Sequence, residues 1–284
     1  MRGRWILAAA ALAAAVLAAP ARAQVFVDLT PSQDNTLYDD DGFNGACGAG
    51  GGQLSNGAGK DLFAGFLQPF DEAKRAVVRF DLGSIPPGTV VTSATLTLNV
   101  NRSVNSGNEP FALHRVTASW GEGASNADGS GGPGNNGGGG APAIAPDATW
   151  CERFFGGADW TTPGGDFVAG ASATISIDGP EPLGLGPATW GSTAQMVADV
   201  QGWVDDPASN FGWIVIGNET TVPQGQASTK RFDSREGADP ALWPRLTVGI
   251  EQRNVLEIPT LSGWGAVTLV LLLLVAGAWS VARR

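Results

Sequence analysis

Lysine is nearly absent from this chain: its 284 residues hold three lysines, one histidine, one tyrosine and two cysteines. Each shortage narrows the available chemistry. A hydrolase triad needs a base beside its nucleophile, and the only candidate imidazole is His114 in "FALHRV", a strand-like stretch where a structural histidine is expected. No G-x-S-x-G nucleophile elbow occurs. A lyase working through tyrosine and histidine has one pair to draw on, Tyr38 and His114. Zinc held by two thiolates and a lone histidine is a poor ligand set. Basic residues are scarce as well. Between residues 24 and 257, twelve basic side chains face 27 acidic ones, a net charge of −15. Such a surface repels nucleic acid and anionic lipid, so no nucleic-acid partner is expected.

Each end holds a long run without charge. "MRGRWILAAAALAAAVLAAPARAQ" carries Arg2 and Arg4, an uncharged run from Trp5 to Ala19, and then "ARA" before Gln24. This is the layout of a secretory signal over residues 1–23, cut between Ala23 and Gln24. A short membrane anchor is the alternative, but the apolar run is brief and ends in Pro20. At the other end no charge appears from Ile258 to Ala282, and Arg283 and Arg284 follow. A run of about 20 apolar residues spans a bilayer, so a transmembrane helix is expected over 266–282. The terminal arginines stay cytoplasmic and the bulk of the chain is exported.

The octapeptide before that run, "IPTLSGWG", supplies Ile258, Pro259, Thr260, Leu261, Trp264 and Gly265. With the apolar stretch and basic end behind it, it resembles the IPTL-CTERM sorting signal of Gram-negative bacteria. The resemblance covers residues 258–284 and implies an exosortase-type membrane protease as partner, with the membrane helix holding the chain until processing. Pro259 keeps the segment extended, the form a protease groove takes.

The middle of the chain holds abundant Gly, Val, Thr and Trp, which suits strands joined by turns. "QVFVDLT", "DLFAGFL", "KRAVVRFDL", "TVVTSATLTLNVNRSV", "FALHRVTASW", "SATISID", "FGWIVIG", "STKRFDS" and "PRLTVGI" read as strands. In "SATLTLNV" the residues Ala94, Leu96, Leu98 and Val100 alternate with polar ones, which buries one face. One helix is expected in "STAQMVADVQGWV", with Ser192 and Gln195 as a capping box and Met196, Val197, Val200, Trp203 and Val204 along one face. Residues 121–142 form a glycine-rich loop without apolar side chains to bury. The expected fold is all-β: a jelly-roll-like β-sandwich over residues 24–250 with one short helix, and a linker at 251–257 before the tail.

Several phrases carry a second resemblance: "AVVRFDLGSIPPGTVVTSATLTLNV", "LHRVTASWGEG", "WTTPGGDF", "VQGWVDDPASNFGWIVIG" and "KRFDSREGADPALWPRLTV". In this order they resemble the DNRLRE-domain family of exported bacterial and archaeal proteins, from about Asp28 to Ile250. The resemblance implies a β-sandwich on a surface protein; some relatives are polysaccharide-binding modules. This chain departs from that setting in lacking a companion enzyme domain.

Candidate site residues follow. Trp150 and Trp160 flank "CERFFGGAD" beside the glycine-rich loop and are candidates for stacking on sugar rings, with Arg153 for a carboxylate or hydroxyl. Core packing is their competing role. Arg235 in "KRFDSRE" is read either as a cross-strand ion-pair partner or as a glycan carboxylate ligand. Asp39, Asp41 and Asn44 in "DNTLYDDDGFNG" offer oxygens to a structural Ca²⁺, or form a solvated acidic loop. Cys47 and Cys151 are expected to pair in an oxidising compartment. Two functional classes remain: a non-catalytic surface protein that binds polysaccharide or packs in the envelope, and a polysaccharide lyase or glycosidase with an unrecognised site.

Overall fold

The computed structural model describes residues 24–39, 47, 53–67, 71–103, 107–128, 137–179, 182–220 and 227–251, with isolated positions 268, 271, 272, 279 and 282. The chain divides into two compact units, Met1–Glu251 and Gln252–Arg284. The strands that follow all belong to the first. They are β1 (Val25–Leu29), β2 (Pro31–Tyr38), β3 (Leu54–Ser55), β4 (Asp61–Leu67), β5 (Glu72–Phe80), β6 (Val90–Ser103), β7 (Glu109–Arg115) and β8 (Ala141–Pro142). After these come β9 (Glu152–Phe154), β10 (Ala158–Asp159), β11 (Ala173–Ile177), β12 (Gly186–Trp190), helix α1 (Ala194–Asp205), β13 (Trp213–Ile216), β14 (Lys230–Asp233) and β15 (Arg245–Glu251).

The protein is mostly β, and its pairings are antiparallel. One curled sheet runs β1-β15-β6-β14-β4-β5-β13-β7-β11, with β12 beside β6 and β2 beside β5. The curl turns on β4. Its first half pairs with β14 from Asp61 to Ala64, and its second half pairs with β5 from Gly65 to Leu67. Gly65 makes that change of partner possible. Its φ is +119°, and a Cβ there would stand 2.6 Å from the Thr229 backbone.

The alternating faces of both halves meet in one core. Leu96, Leu98 and Val100 of β6, Leu246 and Val248 of β15 and Phe232 of β14 contribute from one half. Val78 and Phe80 of β5, Trp213 and Val215 of β13, and Phe111 and Leu113 of β7 contribute from the other. Phe111 meets Phe232 edge-on with ring centroids 6.1 Å apart. Helix α1 closes the core with Met196, Val200, Trp203 and Val204, and Trp203 packs against Trp213 at 4.5 Å. The cap lies one residue later than the sequence pattern suggests: Thr193 Oγ1 accepts from the Met196 N–H at 3.0 Å, whereas Ser192 Oγ accepts from the Ala94 N–H of β6. The helix also buries Asp199, whose carboxylate accepts from Trp213 Nε1 at 3.0 Å and Gln195 Nε2 at 2.9 Å. Arg115 stands 3.4 Å away.

A second apolar layer covers the outer face of the β5–β13 half. Leu37, Val77 and Ile214 point away from the main core and are roofed by Trp120, Trp150 and Trp160. The segment carrying those tryptophans is therefore a built layer over the sheet. The described parts of the glycine-rich stretch are tied in by backbone hydrogen bonds and bury Ser125 and Ala127, which its composition did not suggest. Gly121 donates to Arg153 O at 2.9 Å and accepts from Ala148 N at 2.7 Å, and β8 pairs with β3.

Among the described residues no helix is long and apolar enough to cross a membrane. The expected signal peptide 1–23, the sorting octapeptide (including Ile258, Pro259, Thr260, Leu261, Trp264 and Gly265) and nearly all of the 266–282 span lie outside the described residues.

Candidate functional site

The two tryptophans proposed to stack on sugar belong instead to the second core. Trp150 and Trp160 are each 5% exposed. Trp160 donates its indole N–H to Thr149 O at 3.0 Å, and Trp150 lies under the Arg75 guanidinium at 4.6 Å. Neither ring offers a face to a ligand. The physical reason lies in β5 and β13, whose outward side chains Val77 and Ile214 are apolar and need a roof. Arg153 is spent locally as well: its Nη1 donates to Ser119 O and Oγ at 3.1 and 3.0 Å, and its guanidinium covers Phe154.

Arg235 pairs with the protein's own acids. Its Nε and Nη2 fork the Glu122 carboxylate at 2.7 and 2.6 Å, and Nε stands 3.0 Å from Glu236 Oε1. A glycan carboxylate would have to displace both, so its proposed ligand role is corrected to the ion-pair role. Asp39 is 7% exposed, which removes it from a solvated loop, while Asp41 and Asn44 lie outside the described residues. Cys47 and Cys151 are joined by a disulfide across a sequence separation of 104 residues. His114 Nδ1 lies 3.0 Å from Val168 O, and Tyr38 donates to Gly137 O at 3.0 Å. Burial raises the Tyr38 phenol above its ordinary range. No hydrogen bond joins Tyr38 to His114 among the described residues.

The arrangement with most chemistry to offer was missed by the sequence reading. Where β4 changes partner, the ends of β4, β5, β6 and β14 surround a pocket of about 200 Å³. Phe63 and Leu67 give it an apolar wall, and Lys74, Arg102 and Arg231 bring three cations. Lys74 is 1% exposed, and its Nζ lies 3.1 Å from Glu72. Burial lowers its pKa, and Glu72 opposes that shift. Arg231 donates from Nε to Asn101 Oδ1 at 2.6 Å and stands 3.5 Å from Asp61. Arg102 is half-buried and has no hydrogen-bond or ion-pair partner among the described residues. Thr229, 8% exposed, holds a buried Oγ1 that also lacks a partner. An unpaired guanidinium, an unpaired hydroxyl and an apolar wall complement a small anion attached to a carbon skeleton.

A second polar cluster forms around Asp34 of β2. Asp34, 1% exposed, donates its backbone N–H to Glu122 Oε1 at 2.8 Å and accepts from the Arg235 N–H at 2.9 Å through Oδ2. Ser234 Oγ reaches Glu236 Oε2 at 3.3 Å. Burial, followed by the charge of Glu236, raises the Asp34 pKa well above the carboxylate range, and burial raises that of Glu236. Glu122 owes its position to its neighbours in "GEG". Gly123 has φ +76°, and a Cβ there would collide with the Asp147 side chain. The tight turn presses Glu122 inward against β2.

No family model matches this chain, and no curated protein matches it.

Proposed function

We propose that this is an exported, surface-sorted, non-catalytic protein whose domain binds acidic polysaccharide through the Lys74–Arg102–Arg231 pocket. The observation that carries the reading is Arg102, an unpaired cation facing a pocket in a domain of net charge −15. A polyanion is repelled by such a domain at long range, so it must engage where cations locally exceed acids. The pocket is such a place, and its volume suits a single sugar residue bearing one carboxylate.

Export and sorting rest on the sequence of the two ends and on the resemblance of residues 258–284 to an IPTL-CTERM signal read by an exosortase-type protease. The Cys47–Cys151 disulfide fits an oxidising compartment outside the cytoplasm. The resemblance to the DNRLRE-domain family supports a surface role, and the curled sheet is read as a jelly-roll-like β-sandwich. The cell surface of a Gram-negative bacterium, or the medium around it, is the proposed destination.

The test is a binding isotherm of the full chain with a polyuronate, beside a neutral glucan of similar length. Charge-assisted hydrogen bonds contribute about 1.5–3 kcal/mol each, so Arg102→Ala should weaken polyuronate binding about ten- to a hundredfold and leave the glucan unaffected. Thr229→Val should weaken it by a smaller factor. Equal affinity of wild type and Arg102→Ala for the polyuronate would remove the pocket from the function. New reducing or unsaturated chain ends after incubation would make the protein an enzyme.

A further inference from the structure

The Asp34–Glu122–Glu236 cluster carries an inference independent of the polysaccharide pocket. Its carboxylates come from three distant segments: β2, the turn after Trp120, and the turn after β14. Nonetheless, one oxygen from each lies within 4.8 Å of the others. Three carboxylates in that space face one cation, Arg235, so with all three ionised two negative charges are left over, which is why burial and mutual repulsion raise the pKa of Asp34. Arg235 does not serve the three acids equally. Its guanidinium goes to Glu122 and Glu236, and only its backbone N–H reaches Asp34.

The second observation is the other oxygen of Asp34. Oδ1 is buried, belongs to a residue 1% exposed, and has no hydrogen-bond donor. A buried carboxylate oxygen without a donor is costly. Asp147, by contrast, takes the Ile144 N–H at 2.6 Å and the Ser125 N–H at 3.3 Å. Although Asp61 Oδ2 is also buried without a donor, among the described residues only Asp34 combines that with a cluster of three carboxylates. The donor set is all oxygen, which selects a hard cation. Ca²⁺ binds oxygens at about 2.3–2.6 Å, so two of its ligands on opposite sides stand about 4.6–5.2 Å apart. Mg²⁺ demands a near-ideal octahedron and gives up its waters reluctantly, which suits an all-protein carboxylate site poorly.

We infer that Asp34, Glu236 and, through its anchored carboxylate, Glu122 form a Ca²⁺ site that staples β2 to the two turns. The ion supplies Asp34 Oδ1 with its missing partner and balances the two charges that full ionisation of the cluster leaves over. Asp34 and Glu236 are its principal ligands, because Glu122 already accepts from Asp34 N, Arg235 Nε and Arg235 Nη2. This site lies apart from the Asp39–Asn44 stretch that the sequence alone suggested for calcium.

Calorimetric titration of the chelator-treated full chain with CaCl₂, and thermal unfolding with and without Ca²⁺, test the proposal. Wild type should bind with a rise in Tm, and Mg²⁺ should bind at least tenfold more weakly. Glu236→Gln, whose amide can donate to Asp34 Oδ1 and keep the fold, should lose at least tenfold in Ca²⁺ affinity. Asp34→Asn should do the same. Should either amide fail to fold, Glu236→Asp keeps the charge but withdraws the oxygen, with the same expected loss. Arg102→Ala should bind Ca²⁺ as wild type does, which separates this site from the pocket. Absence of heat and of any Tm shift in wild type would overturn the proposal, as would wild-type affinity in Glu236→Gln. A protonated-carboxyl infrared band in wild type, unchanged by Ca²⁺ and lost in Glu236→Gln, would show a shared proton in the ion's place and would also overturn it.

Discussion

Replacing Trp160 by alanine separates a core indole from a sugar-stacking one. The ring is 5% exposed, packs with Trp120, Trp150, Val77 and Ile214, and donates its N–H to Thr149 O at 3.0 Å. Truncating a buried tryptophan costs about 3–5 kcal/mol, because transfer free energy is lost and a cavity remains. In a domain of this size each kcal/mol moves Tm by roughly 2–4 °C, so Trp160→Ala should lower Tm by about 6–20 °C. Trp160→Phe keeps most of the apolar volume but leaves the Thr149 carbonyl without its donor, and should cost about 1–2 kcal/mol. Thermal unfolding followed by far-ultraviolet circular dichroism reads both. Polyuronate affinity of the Phe variant, measured well below its Tm, should equal that of wild type. A Tm loss under about 2 °C for Trp160→Ala would refute the buried second layer and return the ring to the surface.

Three further outcomes follow from named contacts. Thr193→Ala removes the cap bond to Met196 N and the bond from Thr193 Oγ1 to Ser172 O, and should destabilise the domain by about 1–2 kcal/mol in urea unfolding; Ser192→Ala leaves that cap intact and should cost less. Reducing the Cys47–Cys151 bridge frees a loop of about a hundred residues in the unfolded chain and should cost about 4–5 kcal/mol by chain entropy, read as a lower urea midpoint in reductant. Burial sets the Lys74 pKa below 10.5, so in the folded protein the ammonium loses its proton at lower pH than in the unfolded chain. Stability should therefore rise with pH between the folded pKa and 10.5, while polyuronate affinity falls through the same window; affinity flat up to pH 10.5 would remove Lys74 from the ligand's neighbourhood.

Much of the fold was legible because a half-buried strand writes its burial at period two. Ala94, Leu96, Leu98 and Val100 are buried as their alternation implies, and β13 and β15 follow their apolar runs. Strand β2, "PSQDNTLY", was not legible, since polar residues are buried along it: Asn35, on the same face as Leu37 and under the second layer, is 0% exposed and is satisfied by Ser55 Oγ, Glu122 O and Ala148 O. Hydrogen bonds to distant segments replace apolar burial there, and periodicity cannot register them. The second core left a trace that was not used. "WIVI" in β13 is apolar at every position, and a strand solvated on one face would not be. Its outward Ile214 already required a cover, and Trp150 and Trp160 supply it.

The site residues were harder to see for a reason specific to this composition. Few cations serve many acids, so most of them are consumed within the domain. Arg75 forks Glu219 at 2.9 and 2.7 Å, Arg235 forks Glu122, Arg115 faces Asp199, and Arg231 is shared between Asn101 and Asp61. An arginine in a strand of such a chain is by default a neutraliser, and "KRFDSRE" shows this plainly: both of its arginines are held by acids or amides of neighbouring segments. Arg102 differs only in what its neighbours do. The acids nearest the pocket, Asp61 and Glu72, already have Arg231 and Lys74, which leaves its guanidinium over. That surplus is a property of the folded pairing pattern, and no stretch of sequence around "NVNRSV" encodes it locally. The same accounting, applied to acids, marks Asp34 Oδ1 and Asp61 Oδ2, and among the described residues only Asp34 stands in a cluster of three carboxylates. A domain this acidic thus offers its two candidate sites at places where the internal pairing does not close, one short of an anion and the other short of a cation.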